Sequence, residues 1–282
     1  MSAQPVPGSV LSADGTRIGF SRLGGGPALI FVHGALSTGD TWLEVATRIS
    51  HQFTCFLMDR RGYGRSTDGP DYSLARECED IAAMVRVAGP GSHILGHSSG
   101  AICVLEGAFR EKIGRLVLYE PPLPIEETAV ATLNPAAERF RAAIVDKKFD
   151  EALTTLARDL IQLKAEEITR LQATPLWNKW GALIPAISRQ SKAIFEVDRD
   201  LERYRRLSIP TLLLVGTATA AHHKAASAAL AHVLPNVRTV YLEGEGHVAC
   251  LTAPDLIAKA VSEFLQTSAA VLPEGGEAKA AQ

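Results

Sequence analysis

The sequence predicts an α/β fold, and three observations carry that expectation. Short continuous apolar runs such as Ala28-Leu29-Ile30-Phe31-Val32 recur along the 282 residues, as strands covered by helices on both faces require. Amphipathic stretches of helical period separate them, which is the element order of an α/β domain. One run, His93-Ile94-Leu95, leads directly into Gly96-His97-Ser98-Ser99-Gly100. There a strand ends in a tight turn as a helix begins, and the two glycines leave space in which a side chain would collide with the neighbouring helix or strand.

Taken in chain order, Asp14-Gly15 between Val10-Leu11 and Ile18-Phe20 predicts an early hairpin. The segment Gly24-Gly25-Gly26-Pro27 then leads into the central strand at 28–32, which stops at His33-Gly34-Ala35-Leu36. A helix is expected over 40–50. Residues 53–58 read as another buried strand, followed by the glycine-rich loop Asp59 to Ser66. Helices are expected over 74–88 and 99–110, the latter apolar enough at Ala101-Ile102-Cys103-Val104-Leu105 to be buried behind Ser98. The strand 115–119 ends at Glu120-Pro121-Pro122, where two prolines stop regular structure. From there to about Arg206 the composition turns to Ala, Leu, Glu and Lys, which predicts three or four helices broken at Asn134-Pro135, Thr174-Pro175 and Ile184-Pro185. Strands return at 210–216 and 237–242, helices at 224–234 and 254–265. The stretch after Thr267 has no apolar periodicity and reads as a disordered tail over 268–282.

The chemistry-bearing residues fall at the carboxyl ends of these strands. Ser98 sits in G-x-S-x-G, Ala35 in a loop able to offer a backbone N–H to an oxyanion, and His247 in Gly244-Glu245-Gly246-His247 after the last strand. A glycine-rich corner with a helix-capping serine is the plain alternative for residues 96–100. Together, His33-Gly34, residues 59–66, residues 96–100 and Gly246-His247 resemble the α/β-hydrolase superfamily. That resemblance covers about residues 10–267. It implies an eight-stranded, mostly parallel sheet flanked by helices, a nucleophile after the fifth strand and a helical lid inserted after the sixth. The implied organisation is a core domain of 1–120 and 207–267 with a lid of 121–206. The order Ser, acid, His along the chain agrees with it.

The acid is less obvious. Its usual place after the seventh strand holds Gly216-Thr217-Ala218-Thr219-Ala220, with no carboxylate. Glu120, at the end of the sixth strand, is the expected replacement, since an ionised carboxylate on the imidazole Nδ1–H fixes the tautomer and supports the imidazolium. The plain alternative is that Glu120 pairs with an arginine or anchors the lid. Glu243 and Glu245 are rivals, but lie too close to His247 in sequence to face its ring comfortably. Ser98-Ser99-Gly100-Ala101, Val215-Gly216-Thr217-Ala218-Thr219 and Pro175-Leu176-Trp177 are further similar to the zearalenone lactonase family, where an acid also follows strand six and a lid tryptophan lines the pocket. His97 departs from that family's cysteine.

The expected activity is that of a serine hydrolase with a Ser98-His247-Glu120 triad, acting on an ester or lactone of a mid-sized, largely apolar small molecule. Backbone N–H groups of Ala35 and Ser99 would form the oxyanion hole, and Trp177 and Leu36 would contact substrate. Carbon–carbon bond hydrolysis, perhydrolysis or non-catalytic recognition by the same residues are the alternatives. No cofactor or metal is expected: Cys55, Cys78, Cys103 and Cys250 lack ligand spacing and read as buried thiols, and His222-His223 lacks neighbouring ligands. His93 and His97 read as structural, Tyr63 and Arg65 as braces of the sheet end. A formal net charge of −2 with no basic patch argues against nucleic acid. The absence of a signal-like start or of a ~18-residue apolar span predicts a cytoplasmic protein without membrane contact. Oligomeric state has no sequence signal, and a homodimer is one state the chain allows.

Overall fold

A computed structural model describes residues 4–69, 71–123, 127–163, 165–195 and 197–267. The hairpin expected at Asp14-Gly15 forms between β1 (Val6–Leu11) and β2 (Arg17–Gly24), with Gly15 at φ +83° in the turn. After it come β3 (Ala28–Val32), α1 (Leu43–Ile49), β4 (Thr54–Met58), α2 (Leu74–Ala88), β5 (His93–His97), α3 (Ser99–Gly107) and β6 (Leu116–Tyr119). Among the described residues, five α-helices precede the next strand: α4 (Glu127–Val145), α5 (Phe149–Thr155), α6 (Ala165–Gln172), α7 (Pro175–Gly181) and α8 (Ile184–Phe195). The chain closes with β7 (Thr211–Gly216), α9 (Ala221–Val233), β8 (Val237–Leu242), α10 (Ala249–Thr252) and α11 (Pro254–Gln266).

The strands form one eight-stranded sheet in the order β1-β2-β4-β3-β5-β6-β7-β8. Only the pairings of β2 with β1 and β4 are antiparallel. Successive residues on a strand face opposite sides, and here both sides are apolar. Ile30, Val32, Ile94, Leu116 and Leu118 join α2, α3 and α9 in one core, whereas Leu29, Phe31, Leu95, Val117 and Tyr119 join α1 and α11 in the other. This explains the unbroken apolar runs. All four cysteines are buried and free.

Two expectations need correction. The inserted segment carries more α-helices among the described residues than the three or four expected, because α5, α6 and α7 are only seven or eight residues long and leave little compositional contrast at their boundaries. Pro135 lies inside α4 instead of breaking it. A proline removes one intrahelical hydrogen bond, and the helix continues because Ala136, Ala137, Phe140 and Ala143 beyond it are buried. Helix α10 was not anticipated. The tail expected over 268–282 lies outside the described residues.

Candidate active site

Ser98 stands between β5 and α3 at φ +53°, ψ −128°, a conformation that costs a non-glycine residue about 1–3 kcal/mol. The turn is held by Ser98 N–H donating to the Tyr119 carbonyl at 2.9 Å and Ala101 N–H donating to the Ser98 carbonyl at 2.9 Å. The flanking glycines are sterically required. A Cβ on Gly96 would sit 2.6 Å from Ala101 Cα, and one on Gly100 would sit 2.3 Å from the His33 carbonyl oxygen. The Ser98 hydroxyl makes no hydrogen bond among the described residues.

The loop after β3 approaches this turn closely: a Cβ on Gly34 would lie 2.9 Å from Ser98 Cβ. The buried ring of His33 fixes the loop, with Nδ1 donating to the Gly34 carbonyl at 2.7 Å and Nε2 accepting from Arg60 N–H at 3.0 Å. Burial, with Arg60 nearby, pushes its pKa down to about 3, so it stays neutral in the tautomer those two bonds need. The Arg60 side chain reaches the opposite wall, where Nη1 donates to Ser99 Oγ at 2.9 Å while the Glu77 carboxylate, at 2.7 Å, neutralises the guanidinium. Sequence reading assigned Arg60 no role, yet it braces both segments expected to supply oxyanion donors. The N–H groups of Ala35 and Ser99 meet no acceptor among the described residues.

Glu120 follows β6 at φ +47° and is fully buried. Its Oε1 accepts from Gly216 N–H at 2.7 Å; its Oε2 accepts from Thr219 Oγ1 at 2.8 Å and from His247 Nδ1 at 2.6 Å. The acid-free stretch after β7 is therefore the cradle of an acid delivered from β6. With Nδ1–H committed to the carboxylate, the Nε2 lone pair of His247 is left as proton acceptor. Glu245 instead accepts from Thr252 at 2.5 Å. Tyr119, next to Glu120 but on the opposite face of the strand, donates its hydroxyl to the Gly246 carbonyl and accepts from Ala249 N–H at 3.1 Å, pinning the His247 loop on both sides.

Two more histidines surround His247, which sequence reading had set aside. The ring of His97 stacks on Tyr119 at 4.7 Å, lies 4.7 Å from the His247 ring and donates through Nε2 to the His247 carbonyl at 2.9 Å. His223 stacks face to face on His247 at 4.1 Å and 8°. Burial, reinforced by His247, lowers the pKa of both well below the ordinary imidazole value. The expectation that His222-His223 lacks neighbouring ligands is thus corrected: Glu120, His223 and His247 bring one ligand-type atom each within 4.8 Å of the others. As placed, however, they make a poor metal centre. Imidazole binds a cation through an in-plane lone pair, and no ion lies in the planes of two stacked parallel rings.

A family model described as the alpha/beta hydrolase family matches residues 29–260. The chain belongs to the alpha/beta hydrolase family. It is 31% identical over 269 residues to N-formylmaleamate deformylase of Pseudomonas putida, covering 92% of this chain and 97% of that one. It is 27% identical to 2-(acetamidomethylene)succinate hydrolase of Mesorhizobium japonicum, covering 86% and 89%. Among solved structures, an alpha/beta hydrolase from Sphaerobacter thermophilus superposes with a TM-score of 0.83 at 32% identity, covering 92% of this chain and 100% of that one. A thermophilic esterase from Thermogutta terrifontis, at 22% identity and a TM-score of 0.73, covering 94% and 98%, shares the fold.

In this alpha/beta hydrolase the five inserted helices carry their own apolar cluster, which includes Phe140, Leu153, Trp177, Trp180 and Ile187. Leu36 and Ala35 pack against it from the loop beside Ser98. Tyr63 is part of the same cluster, and its hydroxyl donates to Gln190 Oε1 at 2.7 Å, so it ties the core to the insertion instead of bracing the sheet end. Asp59 and Arg65 do brace that end, paired at 2.9 Å. Trp177 is buried and donates its indole N–H to Asp150 at 2.8 Å. A cleft of about 430 Å³ lined by Tyr72, Ser73, Glu106, Arg189, Asp198 and Arg203 contains none of the predicted site residues. No helix among the described residues is long and apolar enough to cross a membrane.

Proposed function

We propose that this chain is a serine hydrolase cleaving a carboxylic ester or lactone of a mid-sized, largely apolar small molecule through an acyl-enzyme on Ser98. The observation that carries the reading is the Glu120 carboxylate accepting from His247 Nδ1 at 2.6 Å, on the strand next to the one that ends at Ser98. In the first step His247 Nε2 takes the hydroxyl proton as Ser98 Oγ attacks the acyl carbon. The carbonyl oxygen becomes an oxyanion held by the N–H groups of Ala35 and Ser99, a donor of this kind being worth about 2.7–4 kcal/mol. The imidazolium then protonates the leaving oxygen as the acyl bond breaks. Water, deprotonated by the same imidazole, releases the acid and restores Ser98. Glu120 stays ionised throughout and holds the ring.

The likeness to zearalenone lactonases supports Glu120 as the acid, because Gly216 and Thr219, which grip its carboxylate, belong to the stretch that carries the likeness. Residues 121–206 act in this reading as a lid over the core, with Leu36 at the seam and Trp177 shaping the apolar roof. A second reading is favoured by the names of the relatives, which describe a deformylase and the hydrolase of an acetamido compound. In that case the bond cleaved is C–N, and the proton delivered by His247 goes to nitrogen. A panel of aryl esters, lactones and N-formyl or N-acetyl amides separates the two. Turnover of an activated ester by wild type, lost by about 10⁶ in Ser98→Ala, is the expected result; full activity in that variant would overturn the proposal.

A further inference from the structure

We propose that His223 is a positioning residue for His247: an uncharged ring lying flat on the imidazole that stops it from tilting about its bond to Glu120. This rests on the assignment of His247 as general base. A single hydrogen bond from Nδ1 to Glu120 sets the tautomer and one direction in the ring plane, but leaves the ring free to swing about the Nδ1–Oε2 line. A parallel face at 4.1 Å and 8° removes that freedom. The other aromatic neighbours of His247 do not: His97 and Tyr119 meet it at 43° and 40°.

The surroundings keep His223 neutral. It lies in the first turn of α9, where the unpaired N–H groups of the helix oppose a positive charge. It is 3% exposed, and neither ring nitrogen has a partner among the described residues. Two buried nitrogens without partners are a standing cost to stability that needs an explanation. The contact with His247 uses the ring face, which attracts the imidazolium formed there, and leaves both nitrogens unpaired. The same orphan nitrogens argue against a proton relay, since no donor or acceptor among the described residues continues the path.

The test uses a fluorophosphonate on the intact protein, read as the rate of covalent labelling, because labelling needs the base and the oxyanion donors but no knowledge of the substrate. His223→Leu and His223→Ala should slow labelling by about ten- to a hundredfold, the range expected when a reacting group is misplaced by up to about 1 Å. His223→Phe keeps the flat face and should stay within about threefold of wild type, with a raised Tm because two unpaired nitrogens are gone. A space-filling role predicts instead that Leu rescues as well as Phe, and a proton or ligand role predicts that Phe fails like Ala; either result overturns the proposal. So does labelling at the wild-type rate in all three. If wild type itself is not labelled, the failure lies with the proposed function, not with His223.

Discussion

Ser98 and Glu120 occupy left-handed backbone conformations, φ +53° and +47°, at the ends of adjacent parallel strands, joined by the hydrogen bond from Ser98 N–H to the carbonyl of Tyr119. Side chains rarely tolerate this region, so the fold holds backbone strain at two residues one strand apart. The strain aims the hydroxyl out of the first turn and the carboxylate toward the loop that carries His247.

Replacing Glu120 by Gln keeps the volume but puts an amide where the imidazole needs an acceptor. The expected outcome is a fall in kcat by about 10⁴, the size seen when the acid of such a triad becomes an amide and the tautomer is lost. Steady-state kinetics on an aryl ester, with the melting temperature measured in parallel, checks this. A loss of stability with unchanged kcat would assign Glu120 to lid anchoring.

Replacing Ser99 by Ala removes the acceptor of Arg60 Nη1, which lies in a fully buried guanidinium. The expected cost is about 1.5–3 kcal/mol of stability, the worth of a hydrogen bond to a charged group, measured as a shift in the urea midpoint. Because Arg60 also holds His33 through its backbone, kcat should fall while KM changes little. A fall in KM-dependent binding alone would separate Arg60 from the oxyanion loops.

Stability should decline as pH falls from about 6.5. His33 has a folded pKa of about 3 against an ordinary 6.5, and His97 and His223 are lowered in the same direction. Between the two values the unfolded chain binds protons that the native state refuses, so stability is full above the unfolded pKa and is lost toward the folded one. Asp80, raised to about 6, opposes this over the carboxylate range. Urea midpoints between pH 7 and 4.5 should fall steadily, and His33→Gln should flatten the slope.

The sheet was legible because its strands are buried on both faces, so runs such as 28–32 and 211–215 could not be mistaken for surface strands. The turn at Ser98 and the contact between Glu120 and His247 were legible because all three residues follow a strand run at its carboxyl end, Glu120 by the emptiness of the position after β7. Tyr119, Thr219, Arg60 and His223 were not. Their roles arise from register and crossing: β6 beside β7 sets Glu120 against Gly216, and α9 leans His223 onto a ring 24 positions later in the chain, a contact that no local pattern encodes. Pro135 misled because proline's local rule was outweighed by the buried face beyond it.

Mass spectrometry of the fluorophosphonate-treated protein, with the adduct mapped by peptide, decides whether Ser98, His247 and Glu120 act together. One adduct is expected, on Ser98, absent in Ser98→Ala and formed far more slowly in both Glu120→Gln and His247→Ala. An adduct on another residue, or one on Ser98 that forms at the same rate when Glu120 or His247 is replaced, would contradict that joint action.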